Sequence, residues 1–220
     1  MSHSFRGRNA ARFAVLVCSL GAVGCVARRP MALNAKQTLS LEGKSVAIFT
    51  LRTTNQLAPI YRPKVLLMDI ISADSKKLQR FKPGKPFNKS KHEYEYLVSV
   101  DLEPGTYRIG RVRGESVLFP LIAGTFVFPM NLQFELEPKS LAYIGHIDMT
   151  NRKRLKGEPR SGPVIPLVDQ AATGYAGGTF DIALSDRYDA DVADFARTYP
   201  VLLNHAVTNR ASQTTHCDGK

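Results

Sequence analysis

Residues 93–109 read EYEYLVSVDLEPGTYRI, and this stretch decides the fold. Apolar side chains from Tyr94 to Leu102 occupy every second position and alternate with polar or smaller residues. That period of two is typical of a β-strand with one face on a core. Pro104-Gly105 then predicts a tight turn. Tyr107 and Ile109 start the partner strand, so this region predicts a β-hairpin.

Apolar segments with a period of two, or rich in β-branched residues, recur along most of the chain. Strands are predicted at residues 46–51, 64–73, 117–122, 125–137, 141–149 and 180–184. The first of these is apolar on both faces. The predicted fold class is therefore mainly β, an antiparallel β-sandwich with one C-terminal helix. The helix follows Ser185 or Asp186 and ends at Pro200. It presents Val192, Phe195, Ala196 and Tyr199 on one apolar face, which is expected to pack on the open side of a sheet.

Three segments between or after these elements lack periodicity. Residues 75–91 are rich in Lys, Pro and Gly and predict a long mobile loop, and residues 151–166 predict another irregular loop. Residues 208–220 are polar and predict a disordered tail. The sandwich domain with its helix is thus expected to span residues 39–207.

The N-terminus carries a targeting signal. Arg6, Arg8 and Arg12 precede an apolar run of eleven residues from Phe13 to Val23, which is too short to span a membrane. Small residues and a cysteine follow at positions 22–25. The run Ala22-Val23-Gly24-Cys25 resembles the lipobox of bacterial lipoproteins.

The lipobox resemblance implies that residues 1–25 are a signal peptide and that Cys25 carries lipid. Residues 26–38 would then be a tether, and Val26 after the cysteine implies the outer membrane of a bacterial cell envelope. Ala22 stands where the pattern usually has Leu, Val or Ile. Ordinary signal-peptidase cleavage after Ala27 therefore stays open as an alternative.

The chain is basic, with 30 Lys and Arg against 19 Asp and Glu and a formal charge of +11 among 220 residues. A basic, membrane-anchored protein is expected to meet anionic lipid, glycan or envelope-protein partners, and nucleic acid is not expected. Of the three cysteines, only Cys217 lies outside the signal. No intramolecular disulfide is predicted if Cys25 is acylated.

The run VSVDLEPGTYRI, residues 98–109, resembles the strand-turn-strand of transthyretin-like and carboxypeptidase regulatory-type β-sandwich modules. Residues 137–145, EPKSLAYIG, resemble the stretch that follows it in bacterial lipoproteins of this sandwich type whose function is uncharacterised. The resemblance covers about a quarter of the chain and implies a fold without a chemistry.

Familiar chemical motifs are incomplete. Gly43-Lys44-Ser45 lacks the first glycine of a phosphate-binding loop, and Leu118 replaces the second glycine of a nucleophile elbow begun by Gly114. No His and Cys spacing fits a zinc site, and the strand pattern places His146 on the row opposite Tyr143, partly exposed. No cofactor, metal site or catalytic residue is predicted.

Basic clusters are the functional signal that remains. If both predicted loops lie at one end of the sandwich, they would form an anion-binding face. The predicted anion-binding residues are Lys76, Lys77, Arg80, Lys82, Arg152, Lys153, Arg154 and Lys156. The expected function is a non-enzymatic binding or assembly module at the membrane, and the alternative is a hydrolase acting on envelope glycan or lipid.

Overall fold

The computed structural model describes residues 27–34, 39–118, 122–163 and 171–217. The signal segment, Cys25 and residues 218–220 lie outside this part of the chain. The described residues form one α-helix, α1 (Tyr188–Thr198), two short 3-10 helices and twelve strands. The strands are β1 (Arg28–Arg29), β2 (Ser45–Asn55), β3 (Lys64–Ser72), β4 (Leu78–Phe81), β5 (Asn88–Lys89), β6 (Glu93–Leu102), β7 (Gly105–Leu118), β8 (Ile122–Leu136), β9 (Leu141–Lys153), β10 (Gly178–Ser185), β11 (Thr208–Asn209) and β12 (Thr215–His216).

The strands form two mixed sheets. Sheet A has the order β1-β4-β3-β7-β8-β12, and sheet B has the order β10-β9-β2-β6-β5, with β11 also paired to β9. Most pairs are antiparallel, including the β7–β8 hairpin, but β2 runs parallel to β9 and β1 runs parallel to β4. The mainly β class is confirmed, whereas the wholly antiparallel arrangement is corrected. A period of two gives the side-chain faces of a strand but not the direction of its neighbour.

The main hydrophobic core draws side chains from both sheets. Phe49 and Val98 of sheet B and Ile109 and Leu132 of sheet A belong to one cluster and are fully buried. Burying such a side chain contributes roughly 1.5–3 kcal/mol. Alternation along β2, β6, β7 and β8 supplies this cluster from one face of each strand.

A second core covers the other face of sheet B. Val46 and Ile48 of β2 point away from the main core and pack with Phe195 of α1 and Leu202 of the following 3-10 helix. The prediction that β2 is apolar on both faces is confirmed. The prediction that the helix packs its apolar stripe on a sheet is confirmed as well.

A bulge in β9 changes which residues share a face. Tyr143 belongs to the second core, but Ile147 belongs to the main core. An unbroken strand would put both side chains on the same face of the sheet. Gly145 has a φ of 129°, in the region that favours glycine, and the register with β2 shifts beside it. His146 is therefore buried under α1, where the sequence pattern placed it half-exposed on the other row.

The connecting segments contain more structure than the sequence predicted. The predicted mobile loop at residues 75–91 contains β4, which lies between β1 and β3 in sheet A, and β5 on the edge of sheet B. The strand predicted at residues 117–122 is not separate, because Leu118 ends the long strand β7, Ile122 begins β8, and residues 119–121 lie outside the described residues. The hairpin predicted at residues 93–109 is wrong, because the chain passes from β6 in sheet B to β7 in sheet A and the two strands do not pair.

Both ends of the described chain add strands to the sheets. Instead of a free tether, Arg28 and Arg29 pair with β4. Instead of a disordered tail, residues 208–217 place β11 in sheet B and β12 in sheet A. The half-buried Cys217 donates its backbone N–H to the Asn131 carbonyl at 2.8 Å. The short strands themselves are polar and mostly exposed, so backbone pairing holds them, while Leu33 and Ala211 beside them are buried in the second core.

Candidate functional site: a basic groove between the sheet edges

The N-terminal segment bridges the two sheets. After β1 pairs with β4, Ala32 donates its backbone N–H to the Ser99 carbonyl of β6 at 2.9 Å, and Leu33 donates to the Ser99 Oγ at 2.9 Å. Residues 28–34 therefore run from the edge of sheet A to the edge of sheet B. Because β6 is an edge strand along this part, the crossing segment satisfies backbone groups that would otherwise be unpaired.

A second segment makes the same crossing. The Lys82 N–H donates to the Arg29 carbonyl at 3.0 Å, and the Phe87 N–H donates to the Glu95 carbonyl at 2.8 Å. Between these two bonds lie Pro83 and Pro86, which fix φ and hold the chain extended. The two crossing segments leave an opening between them at the seam of the two sheets.

This opening, the seam groove, has a volume of about 970 Å³, at the upper end of the range for small-molecule sites. Its floor is apolar and consists of residues from the sheet edges, the crossing segments and the end of α1. Tyr96 and Leu33 are buried, and the Tyr96 hydroxyl accepts a hydrogen bond from the Val65 N–H at 3.0 Å. The floor residues are Pro30, Met31, Leu33, Val65, Leu66, Pro83, Pro86, Tyr96 and Tyr199.

The rim of the seam groove is basic. Six cationic side chains line it, and none of the described lining residues is an Asp or Glu. The six are Arg28, Arg29, Lys64, Lys82, Lys85 and Lys89. A concave site with charges of one sign concentrates ions of the opposite sign.

Most of these charges have no internal partner. Arg29 pairs with Asp101 at 2.7 Å, and Lys64 lies 3.4 Å from Glu115. In the part of the chain that the structure describes, the other four rim side chains have no carboxylate within ion-pair distance; they are Arg28, Lys82, Lys85 and Lys89. They remain available to an external anion.

Among the anion-binding residues predicted within residues 75–91, only Lys82 lines the seam groove. Lys76 and Lys77 are exposed in the turn after β3. Arg80 points into a buried ion pair instead, because its Nε lies 2.8 Å from the Asp69 carboxylate, which Arg113 also contacts at 2.7 Å.

The basic loop after β9 neutralises much of its own charge. Arg152 makes two hydrogen bonds to the Glu158 carboxylate, at 2.9 and 2.8 Å, and a third to Asp181 at 3.1 Å. Arg154 donates to the Glu158 carbonyl at 2.7 Å. The hydrogen bonds from Arg152 lower the pKa of Glu158 to about 2. Lys153 and Lys156 are exposed at its ends.

The turn that carries Lys76 and Lys77 and the loop after β9 lie at opposite ends of the sheets. Because β9 runs parallel to β2, residues 152–156 follow the end of both strands, where β6 begins. The turn at residues 73–77 follows β3, whose Ser72 pairs with Tyr107 at the start of β7, directly after β6 has ended. The turn with Lys76 and Lys77 is therefore separated from the loop after β9, whereas Asn88 and Lys89, later in the same predicted loop, pair with the start of β6 at the other end.

Sequence reasoning missed the seam groove for a topological reason. Arg28 and Arg29 lie in the segment predicted to be a tether, and only the β1–β4 pairing brings them beside Lys82. The local signal was the alternation of lysine with proline and glycine in residues 82–86, KPGKP, which the sequence analysis interpreted as a mobile loop.

A buried charged cluster joins α1 to β9 outside the seam groove. The His146 side chain is fully buried, with its Nδ1 3.0 Å from Asp191 and its Nε2 3.7 Å from Asp148. Tyr143 donates to Asp191 at 2.8 Å. Burial alone would lower the pKa of His146, but the two carboxylates outweigh it and raise the pKa to about 9, although the Arg187 guanidinium lies 3.4 Å away. We assign this cluster to stability, because its imidazole does not reach solvent.

Comparisons with known proteins add little to this description. No protein-family profile matches the chain, and no curated protein sequence is similar to it. A leucine-rich repeat protein from Bacteroides thetaiotaomicron is similar in structure over 49% of this chain and 14% of its own, with a TM-score of 0.35 and 11% identity. A likeness of that size carries no argument.

The described residues contain neither a membrane-spanning helix nor a metal-binding cluster. None of their helices is long and apolar enough to cross a membrane. They contain no group of three His, Cys, Asp or Glu side chains placed to hold a metal ion.

Proposed function

We propose that the protein is a membrane-tethered, non-enzymatic binding module that engages anionic surfaces through the rim of the seam groove. The observation that carries this proposal is the set of four rim cations without a carboxylate partner, at Arg28, Lys82, Lys85 and Lys89. Proteins rarely concentrate unpaired like charges around one concavity, because their mutual repulsion opposes folding. An anionic surface would relieve that repulsion.

The proposed lipid anchor would place this rim close to a bilayer. Cys25 precedes Arg28 by three residues, a distance that an extended chain covers in about 10 Å. Electrostatic attraction acts over about 8 Å at physiological salt. Lipidation at Cys25, an outer-membrane location and the signal peptide are parts of this proposal. The expected partner is anionic lipid, glycan or an envelope protein with an acidic surface.

The finer fold assignment belongs to the same proposal. A core cluster shared by sheets A and B supports a β-sandwich. The resemblance to transthyretin-like modules rests on the sequence of residues 98–109 alone, because β6 and β7 lie in different sheets and do not form the predicted hairpin. The hydrolase alternative gains no support from the His146 cluster, whose imidazole is closed off from solvent.

The anchor is tested first. Replacing Cys25 with Ala is expected to release the protein from the membrane fraction, since acylation is the proposed attachment. Mass spectrometry of the wild-type N-terminus should find an acylated Cys25. An unmodified N-terminus at residue 28 would instead establish ordinary cleavage and remove the anchor from the proposal.

The surface interaction is tested by flotation of the full-length chain with anionic and neutral vesicles across a salt series. A triple variant, K82Q/K85Q/K89Q, should lose on the order of 10- to 100-fold of its partition to anionic vesicles, since each lysine near such a surface contributes about 1 kcal/mol. The matched control, K76Q/K77Q/K156Q, removes the same charge from exposed lysines outside the seam groove. Equal losses in both variants would show that net charge, rather than the rim, governs binding.

A further inference from the structure

The apolar floor of the seam groove makes it more than a charged surface. Leu66, Met31 and Tyr199 line the groove and are only half-buried there. Apolar surface left open in a concavity is the usual property of a site that receives an apolar ligand. A purely electrostatic contact with a membrane would not need such a floor.

We propose that the seam groove binds one anionic amphiphile, with an acyl chain along the floor and a phosphate or carboxylate head at the rim lysines. This inference rests on the proposed function and names the ligand class of the same site. The floor and the rim occupy one cavity of about 970 Å³, so a single molecule can contact both.

Charge complementarity selects this occupant over other candidates. The chain's own N-terminal segment carries Arg6, Arg8 and Arg12 and no acidic residue as far as Cys25, so the rim would repel it. A second copy of the chain would bring another basic groove to the first. An anionic amphiphile satisfies the rim and the floor together.

The rim lysines are held in place before a ligand arrives. Pro83 is buried and Pro86 is half-buried, so the two rings face the protein while Lys82 and Lys85 are exposed beside them. The fixed φ of proline limits the conformations of this segment, which lowers the entropy lost on binding.

A buried hydroxyl adds one polar group to the floor. Tyr96 accepts its hydrogen bond from Val65, and no acceptor for its own O–H is found among the described residues. Burial raises the pKa of Tyr96 well above its usual range, so the hydroxyl stays protonated at neutral pH.

The test compares three probes with the full-length chain by equilibrium dialysis below their micelle concentrations. Lysophosphatidate has the anionic head and the chain, lysophosphatidylcholine has the same chain with a zwitterionic head, and glycerol 3-phosphate has the head alone. We expect saturable binding of one lysophosphatidate per protein, at least tenfold tighter than lysophosphatidylcholine, and no saturable binding of glycerol 3-phosphate. Equal affinity for all three probes, or no saturation, would overturn the inference.

Two variants separate the site from the surface interaction. Leu66→Gln is expected to weaken lysophosphatidate binding about tenfold while leaving flotation with anionic vesicles unchanged, because it alters only the floor. K82Q/K85Q/K89Q should weaken both, and thermal melting checks that each variant is folded. Salt-dependent flotation without lysophosphatidate binding would refute the amphiphile site and leave the surface interaction standing. Lysophosphatidate binding without charge-dependent flotation would refute the surface interaction and leave the amphiphile site standing.

Discussion

The rim of the seam groove and the loop after β9 are both basic, but they hold their charges differently. In the loop, Arg152 and Arg154 are tied to Glu158 within a few residues of chain. At the rim, Lys82 and Lys85 have no carboxylate partner in the described part of the chain. A count of Lys and Arg treats these regions as equal, yet only the rim presents charge to a partner. The difference shows that the pairing of charges, and not their number, marks a candidate site.

The largest effect is expected where a buried carboxylate is removed from its cations. Asp69 is buried between Arg80 and Arg113, so Asp69→Asn should lower the free energy of unfolding by about 3 kcal/mol, because two half-buried guanidinium groups lose their counter-charge. Chemical denaturation measures the change. The exposed pair of Lys64 and Glu115 is the control, and Glu115→Gln should cost less than about 1 kcal/mol. Equal losses of stability in Asp69→Asn and Glu115→Gln would contradict the distinction between buried, paired charges and exposed ones.

The second effect concerns pH and the buried cluster under α1. The pKa of His146 is raised from 6.5 to about 9, so its charged form stabilises the fold. This contribution is complete below pH 6.5 and is lost as the pH rises through about 9. We expect the free energy of unfolding to fall by about 2 kcal/mol between pH 6.5 and 9.5. His146→Gln should remove that slope, and a slope unchanged in the variant would assign it to other groups.

A smaller effect is expected from releasing the tied charges of the loop. Glu158→Gln leaves Arg152 with Asp181 alone and should cause only a small loss of thermal stability, since the pair lies near the surface. It should also raise the partition of the protein to anionic vesicles at low salt, because Arg152 loses its carboxylate partner at position 158 and becomes more available. Flotation measures this gain. No gain would mean that the loop is held away from the vesicle for reasons of geometry.

The smallest effect on stability is expected at the rim itself. K82Q/K85Q/K89Q should change the free energy of unfolding by no more than about 0.5 kcal/mol, because these exposed side chains make no ion pair in the described part of the chain. A slight gain is consistent with relief of repulsion. A loss of several kcal/mol would show that the lysines have a structural role and would weaken their assignment to binding.

Local features of this fold were predictable from the sequence, and features that depend on chain pairing were not. The strand faces of β2 and β6 follow directly from their period of two. The bulge at Gly145 was missed because one extra residue leaves a plausible alternation on each side of it, and His146 was misplaced as a result. The parallel partner of β2 left no local signal.

The contacts of the candidate site divide in the same way, into local pairs that the sequence can predict and long-range pairs that it cannot. Arg152 and Glu158 are six residues apart, so their pairing could have been foreseen from spacing. The pairing of Asp69 with Arg113 spans 44 residues and could not. The seam groove is less predictable still, because it exists only where two connecting segments cross between sheet edges. The lysines of that segment are visible in the sequence, but nothing in the sequence predicts that they lie over an apolar floor.

The parallel pairing of β2 with β9 has a consequence for the order of folding. Partners across this pair, such as Thr54 and Thr150, are 96 residues apart, so β2 waits for most of the chain before its second neighbour is available. The face of β2 that packs under α1 lacks cover for longer still, because α1 follows β9 in the chain. Contacts between residues so distant in sequence slow folding, and the intermediates that precede them are prone to aggregation. We therefore expect this protein to fold slowly and to depend on protection of β2 during synthesis.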